Sequence, residues 1–136
     1  MISLDTNVVV RVVTADDPDQ LALALKVMRS AEDLWLCRTV LLEIEWVLRY
    51  TYKLSRQTVL ETFIRLLGYP NLSVEEPATV RLALDLFSEG MDFADALHLA
   101  SSRGADRFVT FDRNLSLSAE GHTALPPVEF LTTKAV

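Results

Sequence analysis

Short apolar runs alternate along this chain with longer segments in which apolar residues recur every three or four positions. The short runs have the length and composition of buried strands and lie at residues 2–4, 34–37, 72–74, 107–111 and 128–131. The longer segments are predicted to be helices and cover residues 8–13, 19–31, 40–52, 56–67, 77–88 and 92–103. Strands that alternate with helices predict an α/β fold, with a parallel sheet covered by helices on both sides.

The predicted helix starts rest on residues that favour this position. Thr39, Ser55 and Asp92 are placed as N-terminal caps, because their side-chain oxygens can accept a backbone N–H of the first turn. Pro77 suits a first helical turn, where its missing N–H is not needed. Gly104 is expected to end the helix that starts near Asp92.

The helix predicted over residues 40–52 contains two glutamates, and the helical period separates them. Glu43 shares its stripe with the apolar residues Val40, Trp46, Val47 and Tyr50, which predicts that this stripe faces the interior. Glu45 lies one turn before Arg49, the favourable order for an ion pair on the solvent side. We therefore choose Glu43 as the functional acid. Trp35 and Trp46 are interpreted as core residues, with a subunit interface as the alternative.

Composition predicts one domain over residues 1–136, since 50% hydrophobic and 24% charged residues suit a soluble protein with a core. The single cysteine, Cys37, excludes an internal disulfide, and no run approaches the roughly 20 apolar residues of a membrane helix. A cytoplasmic protein is expected. The net charge of −6 argues against a broad nucleic-acid surface but leaves a local site open.

Four acids, Asp5, Glu43, Asp95 and Asp112, lie far apart in sequence, each within an apolar segment where a lone acid is costly to bury. Asp5 and Asp112 follow predicted strands, and functional residues of parallel sheets gather beyond the carboxyl ends of strands. We predict that the four carboxylates converge on Mg²⁺ or Mn²⁺, the hard cations that prefer oxygen ligands. Without a cation, carboxylates about 5 Å apart repel by roughly 3 kcal/mol per pair.

Each acid alone also has a structural interpretation. Asp5 or Asp112 can cap a following turn, and Asp95 in a first helical turn gains from the helix dipole. For Asp92 the cap is the favoured role, with a secondary role at the site. Glu43 is the most telling member, since a mid-helix acid on an apolar stripe needs a partner.

A cluster of carboxylates suits phosphodiester hydrolysis. A divalent ion bound there can lower the pKa of a water and stabilise an in-line attack on phosphorus. Other chemistries are weaker. His98, one turn after Asp95, is interpreted as structural, with a hydrogen bond near the site as the alternative, and His122 lies in a polar loop without a paired ligand. No serine, cysteine and histidine set forms a recognisable nucleophile. A glycine-rich phosphate loop is absent from a chain with only four glycines.

The chain resembles the PIN-domain ribonucleases, in particular the VapC-type toxins of prokaryotic toxin-antitoxin pairs. Four segments carry the resemblance: Leu4 to Arg11, Val40 to Leu48, Asp92 to Leu97 and Val109 to Arg113. Their order and spacing match from position 4 to position 113, nearly the whole chain.

The resemblance implies a three-layer α/β/α fold, a homodimer and a Mg²⁺- or Mn²⁺-dependent endoribonuclease with a cognate antitoxin protein, which often inserts a basic side chain into the acidic pocket. Asp5, Glu43, Asp95 and Asp112 match the family's acidic quartet, and Thr6, Asn7 and Thr110 match the small polar residues that support it. Some relatives carry a further acid where this chain has Asn114, so the number of metal ions stays open.

The leading interpretation is an RNA-cleaving toxin that a partner protein inhibits. One rival is a silent PIN-like module that binds RNA or protein without cutting. Another is a phosphohydrolase that forms an aspartyl-phosphate on Asp5, although such enzymes place a second acid two residues later, where this chain has Asn7. Cleavage of single-stranded DNA also stays open, because nothing identifies a reader of the ribose 2′-hydroxyl.

Overall fold

A computed structural model describes residues 1–133 of the chain. Helices and strands alternate through it, in the order β1 (Ile2–Ser3), α1 (Thr6–Thr14), α2 (Pro18–Met28), β2 (Leu34–Leu36), α3 (Arg38–Trp46), α4 (Arg56–Leu67), β3 (Leu72–Val74), α5 (Pro77–Ser88), α6 (Phe93–Ala100), β4 (Phe108–Thr110), α7 (Arg113–Ala119) and β5 (Val128–Phe130). A π-helical turn, Val47–Thr51, continues α3.

All strand pairs in the described part of the chain are parallel, which confirms the α/β class. Three strands pair in the order β1-β2-β3, with Ile2 opposite Leu34 and Leu34 opposite Leu72. The other two strands, β4 and β5, pair with Phe108 opposite Val128. Helical connections explain this arrangement, because parallel neighbours require a crossover that a tight hairpin turn cannot make.

The chain divides into two compact units, Met1–Val80 and a second that begins at Arg81. The first unit buries Leu34 and Leu36 of β2 together with Ile44, Leu48 and Phe63 of its helices. In the second unit Phe87 and Phe93 meet edge to face, with ring centroids 5.6 Å apart. That the whole chain is one domain stays a prediction.

Of the four residues that were predicted to begin or cap a helix, three are confirmed. Ser55 Oγ accepts the Thr58 N–H at 3.1 Å, Asp92 caps α6, and Pro77 is the first residue of α5. Thr39 is wrong as a cap, because α3 already begins at Arg38. A carboxylate from outside replaces the local cap: Glu75, directly after β3, accepts the Arg38 N–H with Oε1 at 2.9 Å.

Several features of the helices differ from the prediction. Helix α1 begins at Thr6 rather than at Val8, and α6 ends at Ala100, before the end predicted at Gly104. The helix expected over residues 40–52 is α-helical only to Trp46, after which the Tyr52 N–H donates to the Val47 carbonyl, five residues earlier, at 3.2 Å. Helix α7 was not predicted, because seven residues are too few to show a clear helical period. Within residues 1–133 we find no helix with the length and apolar character needed to cross a membrane.

Candidate active site

Asp5 stands at the junction of β1 and α1 and caps the helix. Its Oδ1 accepts the Thr6 N–H at 2.8 Å, while its second carboxylate oxygen has no hydrogen-bond partner within residues 1–133. Asp5 is exposed, and Asn7 is exposed in the first turn of α1. Thr6 is buried, and its Oγ1 has no partner in the described part of the chain. Asp5 therefore offers one free oxygen from a fixed backbone.

Asp112 has the same position at a second junction, between β4 and α7. Its Oδ1 accepts the Leu115 N–H at 3.1 Å, and its own N–H donates to Thr110 Oγ1 at 2.9 Å. Asp112 is exposed, and its other oxygen makes no hydrogen bond in the described residues. Thr110 thus holds the backbone of the acid two residues later, while its supporting role at a metal site stays a prediction.

Asp92 and Asp95 begin α6, where Asp92 Oδ2 accepts the Asp95 N–H at 3.2 Å. Asp95 is half-buried, and burial raises the pKa of its carboxyl; the negative charges of Asp92 and Asp112 raise this pKa further. The charge of His98 acts in the opposite direction. Asp92, Asp95 and Asp112 therefore lie close enough in the second unit for their charges to interact, and a cation would relieve their repulsion.

Glu43 lies on the exposed side of α3, so the predicted inward stripe is wrong. Trp46 and Tyr50 of that stripe are 57% and 47% exposed, whereas Glu45 is only 4% exposed. Glu45 Oε1 pairs with Arg49 Nη1 at 3.3 Å, so the predicted ion pair exists but one partner is buried. The expected surface and interior glutamates are exchanged.

The physical reason is a second stripe in the same helix. Leu41, Ile44 and Leu48 follow the same helical spacing and are buried, and Glu45 lies beside them. Arg49 makes the burial of Glu45 tolerable because it supplies an opposite charge. The reasoning that Glu43 is a buried acid fails, and its place in the quartet rests on the resemblance of residues 40–48.

The predicted site residues therefore fall into two groups, one in each unit. Asp92, Asp95 and Asp112 interact in the second unit, whereas Asp5, Glu43, Thr6 and Asn7 belong to the first. In residues 1–133 no three or more histidine, cysteine, aspartate or glutamate side chains are grouped so as to hold a metal ion. The donors nevertheless fit a hard divalent cation, because they are all carboxylates and Asp5 and Asp112 each have an unused oxygen. One shared metal site stays a prediction.

Sequence reasoning missed Trp46 and Tyr50 as surface residues. Their rings lie 5.5 Å apart between centroids on the exposed side of the helix that carries Glu43. The only signal in the sequence was the competing aliphatic stripe of Leu41, Ile44 and Leu48, which has the same period as the aromatic one.

A comparison with protein-family models matches residues 2–120 to the PIN domain. This chain belongs to the PIN-domain family. PIN domains are generally nuclease modules that bind RNA, and they typically use divalent metal ions. A search of curated proteins finds no match to this PIN domain.

Proposed function

We propose that this PIN domain is a Mg²⁺- or Mn²⁺-dependent endoribonuclease that hydrolyses RNA phosphodiester bonds with Asp5, Glu43, Asp95 and Asp112. The observation that carries the proposal is the family match over residues 2–120, since it includes all four acids. The interacting charges of Asp92, Asp95 and Asp112 support it, because a cation bound beside them would relieve their repulsion.

In this proposal the four carboxylates hold the metal, and helix capping orients two of them. Asp5 and Asp112 each commit one oxygen to a helix N–H, which fixes the direction of the other oxygen. Thr110 holds the backbone of Asp112, and one of the four acids moves protons during the reaction. A bound Mg²⁺ or Mn²⁺ would supply Lewis acidity and lower the pKa of a water.

The test is an RNA-cleavage assay with the purified protein, with Mg²⁺, with Mn²⁺ and with EDTA. Asp5→Asn and Asp112→Asn are the sharpest variants, because asparagine caps helices about as well as aspartate but carries no charge. We expect each to lose at least about 100-fold in cleavage rate while it stays folded. Asp17→Asn is the matched control, since Asp17 also caps a helix, accepting the Gln20 N–H at 3.1 Å.

Two results would contradict the proposal. If the protein cuts no RNA with either metal, the silent binding module becomes the better account. If Asp17→Asn loses as much activity as Asp5→Asn, the effect comes from removing a negative charge at any helix start and not from metal binding. Single-stranded DNA of the same base sequence, tested in parallel, measures whether the 2′-hydroxyl matters.

We further propose that the protein is the toxin of a VapBC-type pair, acts as a homodimer and is inhibited by a cognate antitoxin. The four segments between Leu4 and Arg113 support this role, and the acids around Asp95 suit a basic side chain of the partner.

Expression of the protein should stop growth, and Asp95→Asn should abolish this effect. Co-expression of a small protein encoded by the neighbouring reading frame should restore growth, and light scattering should give the mass of a dimer.

A further inference from the structure

Two aromatic side chains are presented side by side on the surface of the first unit. Trp46 ends α3 and Tyr50 lies in the π-helical turn, and they are 57% and 47% exposed. Their ring centroids are 5.5 Å apart, with 36° between the ring planes. The guanidinium carbon of Arg49 lies 5.2 Å from the centre of the Tyr50 ring. Because the two exposed rings are adjacent, they offer one continuous aromatic surface to a ligand.

These rings share their helix face with Glu43, a candidate catalytic acid. Trp46 follows Glu43 by three residues and Tyr50 by seven, the spacing of one helical stripe. At 1.5 Å per residue in α3, Trp46 starts about 4.5 Å along the helix axis from Glu43, and Tyr50 lies about one turn beyond Trp46. That range is what the first few nucleotides beside a phosphate at Glu43 would cover, at roughly 3.4 Å or more per nucleotide.

An ion pair holds the helix segment that carries the two rings in place. Glu45 is buried and pairs with Arg49 at 3.3 Å, which fixes the guanidinium beside Tyr50. The pair also neutralises its own charges, so the rings are next to a balanced ion pair. The π-helical turn is a second unusual feature of this segment. Such turns are rare in proteins and occur frequently at functional sites.

We propose that Trp46 and Tyr50 form a stacking platform for bases of single-stranded RNA next to the bond that is cut. The inference rests on the proposed nuclease function and names the substrate contact. Stacking needs no net positive charge and suits any base, because every base has a π face. A second protein copy fits this face less well, since it would cover Glu43, the acid that must reach the phosphate.

The experiment compares Trp46→Ala, Tyr50→Ala and the conservative Trp46→Phe in the full chain. Binding of a fluorescein-labelled oligoadenylate dodecamer is measured by anisotropy in EDTA, which prevents metal-dependent cleavage. Quenching of tryptophan fluorescence by the unlabelled dodecamer is the second measurement. The chain has two tryptophans, so the difference between parent and Trp46→Phe isolates the signal of Trp46.

We expect the dodecamer to quench Trp46 and each alanine variant to bind it roughly 5- to 150-fold more weakly. Trp46→Phe should keep most of the affinity. For RNA that the parent cuts in Mg²⁺, the alanine variants should raise KM by a similar factor and change kcat little. Ile64→Ala is the control, because it removes an exposed apolar side chain from α4 of the same unit.

Parent-like binding by both alanine variants, or no quenching of Trp46, would overturn the platform. So would a parent dimer that becomes monomeric in Trp46→Ala, which would make this face a subunit interface. If the parent cuts RNA but the alanine variants bind and cut it normally, the platform fails and the nuclease stands. If the parent binds the dodecamer through Trp46 but cuts no RNA, the nuclease fails and the platform stands.

Discussion

At several helix starts in this protein, one carboxylate side chain accepts a hydrogen bond from a backbone N–H of the first turn. Asp5 and Asp112 cap α1 and α7 from the preceding residue, whereas Glu75 reaches the start of α3 from the end of β3. The bond from the Arg38 N–H lowers the pKa of Glu75, burial opposes this effect, and the Arg38 side chain lowers the pKa further. Local caps are visible in sequence, but a cap from 37 residues away is not.

The Glu75 cap predicts how stability depends on pH. Because the pKa of Glu75 is lower when folded, its stabilisation is complete above its ordinary pKa of 4.5 and is lost as pH falls through the lowered value. Glu75→Gln should therefore cost about 0.5–1 kcal/mol at pH 7 and less below pH 4.5. Urea unfolding between pH 3 and pH 7 measures this difference, with Glu76→Gln as the control. A cost that stays constant with pH would contradict the assignment.

Among the elements, α3 shows how far a sequence pattern can lead. Its start near residue 40 was predictable, but it is α-helical only to Trp46, and two stripes satisfied the same helical period. Packing selected the aliphatic one, with Leu41, Ile44 and Leu48 inside and the aromatic rings outside. The strand at Leu72–Val74 was predicted with its full bounds, because apolar residues at its two ends sufficed.

The exchange of the two glutamates gives a direct test on α3. Glu45→Ala should destabilise the protein by about 1–3 kcal/mol, since it leaves the partner Arg49 without its buried counter-charge. Glu43→Ala should change stability by less than about 0.5 kcal/mol, because Glu43 is exposed. Urea denaturation of both variants decides the point, and equal effects would argue against the observed helix orientation.

For the whole molecule, the proposed function requires acids from four distant elements to act on one ion. Asp5 follows β1, Glu43 lies in α3, Asp95 in α6 and Asp112 after β4. Chain order alone predicts which acids follow strands but cannot measure their distances. The protein should therefore be tested for a shared metal by a property that depends on all four acids together.

Metal binding should raise the unfolding temperature of the parent, since a ligand at 100 times its dissociation constant stabilises by about 2.7 kcal/mol. Asp5→Asn and Asp112→Asn should each lose most of this Mg²⁺- or Mn²⁺-dependent increase. The double variant should lose little more than either single one, because a shared site can be lost only once. Thermal melts with and without metal measure this, and Asp17→Asn should keep the full increase. Additive losses would indicate separate sites.

The sequence by itself determined the α/β class, the five strands, the caps Ser55 and Asp92, and the acids that the PIN-domain match includes. These features depend on the spacing of apolar residues, on the residues that begin and end each element, and on residue type. Each segment contains this information without its neighbours. Tertiary structure decided which face of α3 is buried, that Glu75 caps this helix, and that charges around Asp95 interact. These features depend on packing and on distances between segments that are remote in sequence. The two stripes of α3 have the same helical period, so only the segments packed against them decide which one is buried.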